Sequence, residues 1–122
     1  MNILITGSNG QLGSEIKDLA ANFTDFTFFF MDFSKLDICN SSQLDIFIKD
    51  NNINTVINCA AYTAVDKAEQ DSDIAKKVNA TGVLNLLNAL EKVDGKLIHI
   101  STDYVFDGNN FIPYQELDEV AP

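Results

Sequence analysis

The sequence contains no arginine. All eight of its basic residues are lysines, they stand against 18 aspartates and glutamates, and the net charge is −10. An acidic surface without guanidinium groups repels nucleic-acid backbones and anionic lipid headgroups. We therefore expect neither a nucleic acid nor a membrane as a partner, and any bound phosphate must be held by local groups.

Cysteine is also scarce. Cys39 and Cys59 are the two in the chain, and their separation does not match the spacing of metal ligands, so no metal site is predicted and both thiols are expected to be buried and reduced. The N-terminus lacks a basic segment followed by an apolar run, and no apolar stretch approaches the roughly 20 residues that cross a bilayer. These absences predict a cytoplasmic protein.

The composition is that of an ordinary folded domain, with 46% hydrophobic residues and nine phenylalanines in 122 residues. This length allows one domain, and is too short for a dinucleotide domain joined to a substrate domain. Apolar runs predict strands, and helical spacing of apolar residues predicts helices between them. The predicted strands are Asn2–Thr6, Thr27–Met31, Thr55–Asn58 and Lys96–Ser101, and the predicted helices are 11–21, 41–50 with Ser41 or Ser42 as its cap, and 66–90 with a break near 71–73.

Alternating strands and helices predict an α/β fold, a Rossmann-like parallel sheet with helices on both faces. The spatial strand order expected for half of such a sheet is 3-2-1-4. Ligands bind beyond the carboxyl ends of the strands in these sheets, and the polar loops of this chain follow its predicted strands.

A glycine-rich turn, Gly7-Ser8-Asn9-Gly10-Gln11-Leu12-Gly13, joins the first strand to the first helix. Gly7 permits a sharp exit from the strand, Gly10 lets a diphosphate approach the backbone, and Gly13 allows close packing. The N-terminus of the helix then supplies free N–H groups and a partial positive charge. The turn predicts a dinucleotide site.

Asp32, 22 residues after Gly10, can accept the hydroxyls of the adenosine ribose and favours NADH over NADPH, although a solvated loop acid is the alternative.

Polar loops follow the third and fourth strands as well. The small residues of 58–63 could lie against a cofactor or pack tightly, and Ser101-Thr102-Asp103-Tyr104 offers a hydroxyl that could bond a substrate oxygen. Structural roles are predicted for three other features: His99 as a packed histidine inside an apolar strand, the phenylalanines of 26–33 as core, and Asn79 as a partner for the backbone of a neighbouring strand.

Four segments, GSNGQLG, INCAAYTAVDKAE, VNATGVLNLL and STDYVFDG followed by PYQE, resemble the dTDP-4-dehydrorhamnose reductases, an extended short-chain dehydrogenase/reductase family. The resemblance implies NADPH- or NADH-dependent reduction of the 4-keto group of dTDP-4-dehydro-L-rhamnose, a nucleotide sugar. It implies Thr102 as the catalytic threonine and Thr102 with Asp103 as substrate contacts. The cofactor contacts, taken from the turn and from the resemblance, are Gly7, Gly10, Gln11, Leu12, Asp32, Asp37, Ile38, Ala61, Tyr62 and Thr63.

Members of that family continue into a helix with a Tyr-x-x-x-Lys motif, whose tyrosine donates the proton. Here neither Tyr104 nor Tyr114 is followed by Lys four residues later. We therefore expect 1–122 to be the NAD(P)-binding part of a truncated enzyme, inactive alone, without its substrate domain, and self-associating as a homodimer through exposed apolar surface. The alternatives are a non-catalytic NAD(P)-binding regulatory subunit and an epimerase or dehydratase of the same superfamily, against which STDYVFDG argues.

Overall fold

In a computed structural model, four parallel strands form one sheet flanked by helices. The structure describes residues 1–64, 72–102 and 105–121. The strands are β1 (Asn2–Thr6), β2 (Thr27–Phe30), β3 (Thr55–Asn58) and β4 (Lys96–His99). The α-helices are α1 (Gln11–Leu19), α2 (Ser41–Asp50), α3 (Ser72–Lys76) and α4 (Val83–Glu91), with a 3₁₀ turn at Ala20–Asn22 and a π-helix at Lys77–Gly82 between α3 and α4. The predicted α/β parallel sheet is confirmed.

The strands lie in the order β2-β1-β3-β4, so the predicted order 3-2-1-4, with the third strand beside the second, is wrong. Residues 33–40 after β2 form turns rather than a further strand. Their apolar side chains Leu36 and Ile38 are buried in the core instead of joining the sheet. The third strand along the chain therefore takes the place beside β1, and pairs with it from Ile3–Thr55 to Thr6–Asn58.

One face of the sheet carries the main core. Leu4 of β1 and Val56 of β3 are adjacent in register and fully buried. They pack with the apolar faces of α2 and α4, which contribute Leu44, Ile48, Leu86, Ala89 and Leu90. Across the sheet, the connection from β1 to β2 moves toward one edge and the connection from β2 to β3 moves toward the other edge. Because connections between parallel strands are right-handed, the helix in the first connection, α1, lies on the face opposite to α2.

The other face is covered less completely at β4. Ile57 of β3 pairs with Ile98 of β4, and Ile98 is half exposed, as is Ile100 just after the strand. Because β4 is also an edge strand of the sheet, apolar side chains and an unpaired backbone edge lie together there.

The ends of several elements differ from prediction by a few residues. Asn40, rather than Ser41 or Ser42, caps α2: its Oδ1 accepts a hydrogen bond from Gln43 N at 3.1 Å. β4 ends at His99, two residues before the predicted end. The first part of the predicted helix 66–90, including residue 71 of its predicted break, lies outside the described residues, and helix is present from Ser72 onward.

Candidate functional site

The glycine-rich turn ends β1 at the point where the sheet changes its direction of growth. Gly7 has φ of +61°, and a Cβ placed on it would lie 2.6 Å from Ala60 N. At Gly13 a Cβ would lie 2.5 Å from the carbonyl oxygen of Gly7. These two glycines therefore let the turn fold onto itself and onto the loop after β3. A Cβ on Gly10 would meet only the Gly7 carbonyl, at 3.3 Å, so the space above Gly10 is open.

The N-terminus of α1 faces this open space with unused donors. Gly10 is the N-cap and has no side-chain cap, and the first turn of the helix contains no acidic residue. Ser14 N is the first to bond back, to Gly10 O at 2.9 Å. Within the described ranges the N–H groups of Gln11, Leu12 and Gly13 have no acceptor. Three free donors and the positive end of the helix dipole make this position suited to an anion.

A cavity of about 350 Å³ opens beside the turn, between the carboxyl ends of β1 and β3. It lies at the switch point of the sheet, where α/β proteins bind their ligands. Its wall is formed by Thr6, Gly7, Gly10, Phe33, Leu36, Asp37, Ile38, Cys59, Ala60, Ala61, Tyr62 and Val78.

Six of the predicted cofactor residues line this cavity: Gly7, Gly10, Asp37, Ile38, Ala61 and Tyr62. The other four, Gln11, Leu12, Asp32 and Thr63, do not line it. Gln11 and Leu12 form the start of α1, Asp32 follows β2, and Thr63 is exposed. The structure therefore brings together the turn, the segment before α2 and the loop after β3.

Thr102 stands apart from these residues in the chain. It is exposed and lies three residues after β4. Asp103, the other predicted substrate contact, lies outside the described residues. The catalytic and substrate roles of this pair stay predictions.

The π-helix between α3 and α4 holds two parts of the cavity wall. Asn79 Oδ1 accepts a hydrogen bond from Tyr62 N at 2.8 Å, and Asn79 Nδ2 donates to Tyr62 O at 3.1 Å. Gly82 contacts the other side, since a Cβ there would lie 2.7 Å from Ile38 Cδ1. Asn79 bonds to backbone groups as predicted, but its partner is the loop after β3 and not a neighbouring strand. π-helical turns occur often at functional sites, and this one fixes both Tyr62 and Ile38.

A polar network centred on Asn58 joins three strands beside the cavity, which Thr6 of the network also lines. Asn58 is fully buried, and its Oδ1 accepts hydrogen bonds from Thr6 Oγ1 at 2.5 Å and Ala60 N at 3.3 Å. Its Nδ2 therefore faces His99 Nδ1, at 3.0 Å, as a donor. His99 is exposed, so the prediction of a packed histidine inside an apolar strand is wrong; the short edge strand leaves its ring uncovered. The network connects the ends of β1, β3 and β4.

The phenylalanines are a second correction. The prediction that the phenylalanines of 26–33 are core is wrong for two of them, since Phe26 is 39% exposed and Phe33 is 79% exposed at the cavity wall. The turn after β2 directs Phe33 outward, while Phe29 packs against the core. Leu36 and Val78 also line the cavity without having been predicted to. Their apolar character alone did not distinguish them from ordinary core residues.

The two cysteines are free, as predicted, but both are only partly buried, so the prediction that their thiols are buried is wrong. Burial raises the pKa of the Cys59 thiol, and burial followed by the charge of Asp37 raises the pKa of Cys39. Both thiols are therefore protonated at neutral pH, and Cys59 contributes an apolar wall to the cavity rather than a nucleophile.

The helices within residues 1–64, 72–102 and 105–121 include none with the length and apolar character of a membrane span.

A family model described as "RmlD substrate binding domain" matches residues 1–122. The chain belongs to this family. A dTDP-4-dehydrorhamnose reductase from Aggregatibacter actinomycetemcomitans is 40% identical over 120 residues, covering 98% of this chain and 41% of that protein. The Escherichia coli enzyme of the same name is 37% identical over 126 residues, covering all of this chain and 42% of its own length.

A solved structure agrees with this assignment. A dTDP-4-dehydrorhamnose reductase from Bacillus anthracis, determined in complex with NADP, superposes with a TM-score of 0.94 at 40% identity, over 99% of this chain and 43% of that one. The chain thus spans about two fifths of the length of the relatives it matches.

Proposed function

We propose that this chain is the cofactor-binding part of a dTDP-4-dehydrorhamnose reductase and binds NADH or NADPH in the cavity at the switch point. The proposal depends on one observation: the free N–H groups of a helix N-terminus and a cavity lie side by side at the end of β1. Three free N–H groups at the start of α1 face the open space above Gly10, and the cavity between β1 and β3 continues from that space. A diphosphate fits the first feature and an adjoining nucleoside fits the second.

The residues present suit such a dinucleotide. Gln11, Leu12 and Gly13 would donate their backbone N–H groups to the diphosphate, which needs no arginine. The loop of Ala61 and Tyr62, held by Asn79, would position the nicotinamide ribose. A bound dihydronicotinamide would supply a hydride for a carbonyl carbon. Thr102 would then hydrogen-bond the carbonyl oxygen as it gains negative charge.

In the whole protein we propose that the substrate is the nucleotide sugar dTDP-4-dehydro-L-rhamnose, contacted by Thr102 and Asp103. The names of the 37–42% identical relatives support this substrate. We further propose a cytoplasmic location and a homodimer. The half-exposed Ile98 and Ile100 at edge strand β4 support self-association.

Titration of the 122-residue chain with NADH and with NADPH, followed by dihydronicotinamide fluorescence, tests cofactor binding. Gly10→Ala is the decisive variant, because the added methyl group meets only one atom at 3.3 Å and should leave the fold intact while occupying the space of the diphosphate. We expect binding by the wild-type chain and a loss of roughly tenfold or more in Gly10→Ala. Asn88→Ala, an exposed change on α4, is the control. Failure of the wild-type chain to bind either nucleotide would contradict the proposal.

A further inference from the structure

Asn85 joins α4 to the segment that follows β2. Its Nδ2 donates a hydrogen bond to the carbonyl oxygen of Ile38 at 3.1 Å, although the two residues are 47 positions apart. Asparagine is a poor residue for the interior of a helix, because its side chain competes for nearby backbone groups. Asn85 is half-buried and makes its bond outside its own helix, where it satisfies a carbonyl of an irregular segment.

The peptide between Ile38 and Cys39 is held at both of its polar atoms. Its carbonyl oxygen accepts the bond from Asn85, and its N–H, which belongs to Cys39, donates to Asp37 Oδ1 at 2.8 Å. Asp37 and Ile38 both line the cavity at the switch point. By fixing this peptide, Asn85 fixes the backbone that carries Ile38 and the group that orients the Asp37 carboxylate.

The same helical stretch holds a second part of the cavity wall. Asn79, in the π-helix, pairs with both backbone groups of Tyr62, at 2.8 and 3.1 Å. Gly82 lies between the two asparagines and against Ile38, since a Cβ on it would be 2.7 Å from Ile38 Cδ1. Residues 79–85 therefore hold the segment after β2 through one asparagine and the loop after β3 through the other.

The strand order indicates which half of a dinucleotide each part of the wall would meet. β2 lies on one side of β1, and β3 and β4 lie on the other side. With a diphosphate at the start of α1, directly after β1, the two nucleosides extend to opposite sides. Thr102, the proposed partner of the reacting carbonyl, follows β4, so the nicotinamide extends that way. The adenosine then extends toward the segment after β2 that Asn85 holds.

We propose that Asn85 is a positioning residue for the adenosine half of the cofactor: through the Ile38–Cys39 peptide it places Ile38 and Asp37 where that half binds. Asn79 acts on the nicotinamide half through Tyr62. Two asparagines of one helical stretch thus serve different halves of the same ligand. The inference rests on the proposed function, since it assumes a dinucleotide in the cavity.

ADP, which is the adenosine half of the dinucleotide without the nicotinamide half, separates the two roles. Isothermal titration calorimetry on the 122-residue chain measures dissociation constants for ADP and for the dinucleotide, NADH or NADPH, that the wild-type chain binds more tightly. We expect Asn85→Ala to weaken both ligands by a similar factor of about fivefold to tenfold, as expected for the loss of one hydrogen bond. Asn79→Ala should weaken the dinucleotide and leave ADP binding unchanged. Asn88→Ala, an exposed change on the same helix, is the control and should change neither.

Asn85→Asp tests the hydrogen bond itself. It keeps the shape of the side chain and replaces the donor that faces the Ile38 carbonyl with a carboxylate oxygen, so ADP binding should weaken at least as much as in Asn85→Ala. Circular dichroism under the titration conditions checks that each variant is folded, which separates a loss of affinity from a loss of folded protein. If neither Asn85 variant folds, Gly82→Ala, whose methyl group displaces the Ile38 side chain, decides through the same dissociation constants.

The outcomes separate this inference from the proposed function. Unchanged affinity for ADP in the Asn85 variants overturns the inference and leaves the proposed function standing. Equal losses of ADP affinity in Asn85→Ala and Asn79→Ala also overturn it, because the two asparagines would then not act on different halves. Binding of the dinucleotide without binding of ADP by the wild-type chain overturns it as well. Failure of the wild-type chain to bind either NADH or NADPH instead refutes the proposed function.

Discussion

Removing the Asn58 side chain should lower the free energy of unfolding by more than the loss of an exposed hydrogen bond would. Asn58 is fully buried, and Thr6, its partner at 2.5 Å, is 1% exposed. In Asn58→Ala the Thr6 hydroxyl is left buried without this partner, which costs about 1–3 kcal/mol. The loss of packing around the smaller side chain adds to this, and we expect the free energy of unfolding to fall by about 3 kcal/mol in total.

Thr6→Val should cost much less. Asn58 Oδ1 still accepts from Ala60 N in that variant, so no buried acceptor is left without a partner, and we expect a loss of about 1 kcal/mol. The double variant should lose about 1 kcal/mol less free energy of unfolding than the sum of the two single losses, because that sum counts the shared hydrogen bond twice.

Urea denaturation followed by circular dichroism measures all three variants, with Asn88→Ala as the exposed control. Additive losses would refute the coupling of β1 to β3 through this pair. A cost for Asn58→Ala as small as that of Asn88→Ala would show that Asn58 does not hold the strand ends together.

Four further predictions concern the site and its surroundings. Gly7→Ala should lower the free energy of unfolding by about 2–3 kcal/mol in urea, because φ is +61° and the methyl group would lie 2.6 Å from Ala60 N; an unchanged midpoint would contradict the described turn. Asn79→Ala should weaken NADH binding about tenfold by releasing both backbone groups of Tyr62, and unaltered affinity in a fluorescence titration would argue against that role. Hydrogen bonds from Asn109 and Tyr114 lower the pKa of Asp107 below its ordinary 3.8, so the stabilisation from the ionised carboxylate is present above that pH and is lost as the pH falls through the folded-state pKa. Asp107→Asn should therefore remove this contribution to the loss of stability in acid. Urea midpoints measured at successive pH values check it, and identical profiles for the variant and the wild type would count against it. Ile98→Asp should reduce the self-association of the chain in light scattering, and an unchanged mass would exclude this face as the contact.

The turn from Gly7 to Gly13 was predictable because its chemistry is local. Glycine spacing, the preceding apolar strand and the following helix can all be read from consecutive residues, and the structure has the same β1, turn and α1. The α/β class followed equally well from the alternation of strands and helices. The positions of Gly7, Gly10, Ala61 and Tyr62 around one cavity then follow from the parallel sheet.

What the sequence did not reveal depends on contacts between distant residues. The order of the strands turns on whether residues 33–40 form a strand or fold into the core, and burial of Leu36 and Ile38 decides it. The outward position of Phe33 follows from the same turn. The bonds of Asn58 to Thr6 and His99 join residues 52 and 41 positions apart, which no local pattern shows.

Titration of NADH into the ¹⁵N-labelled chain, followed through its amide resonances, will show whether a dinucleotide binds at the start of α1. We expect the largest shifts at Gln11, Leu12 and Gly13, whose N–H groups have no acceptor in the described ranges, and smaller shifts at Ala61 and Tyr62. Saturation with shifts confined to other parts of the chain, or no shifts at millimolar NADH, would contradict it.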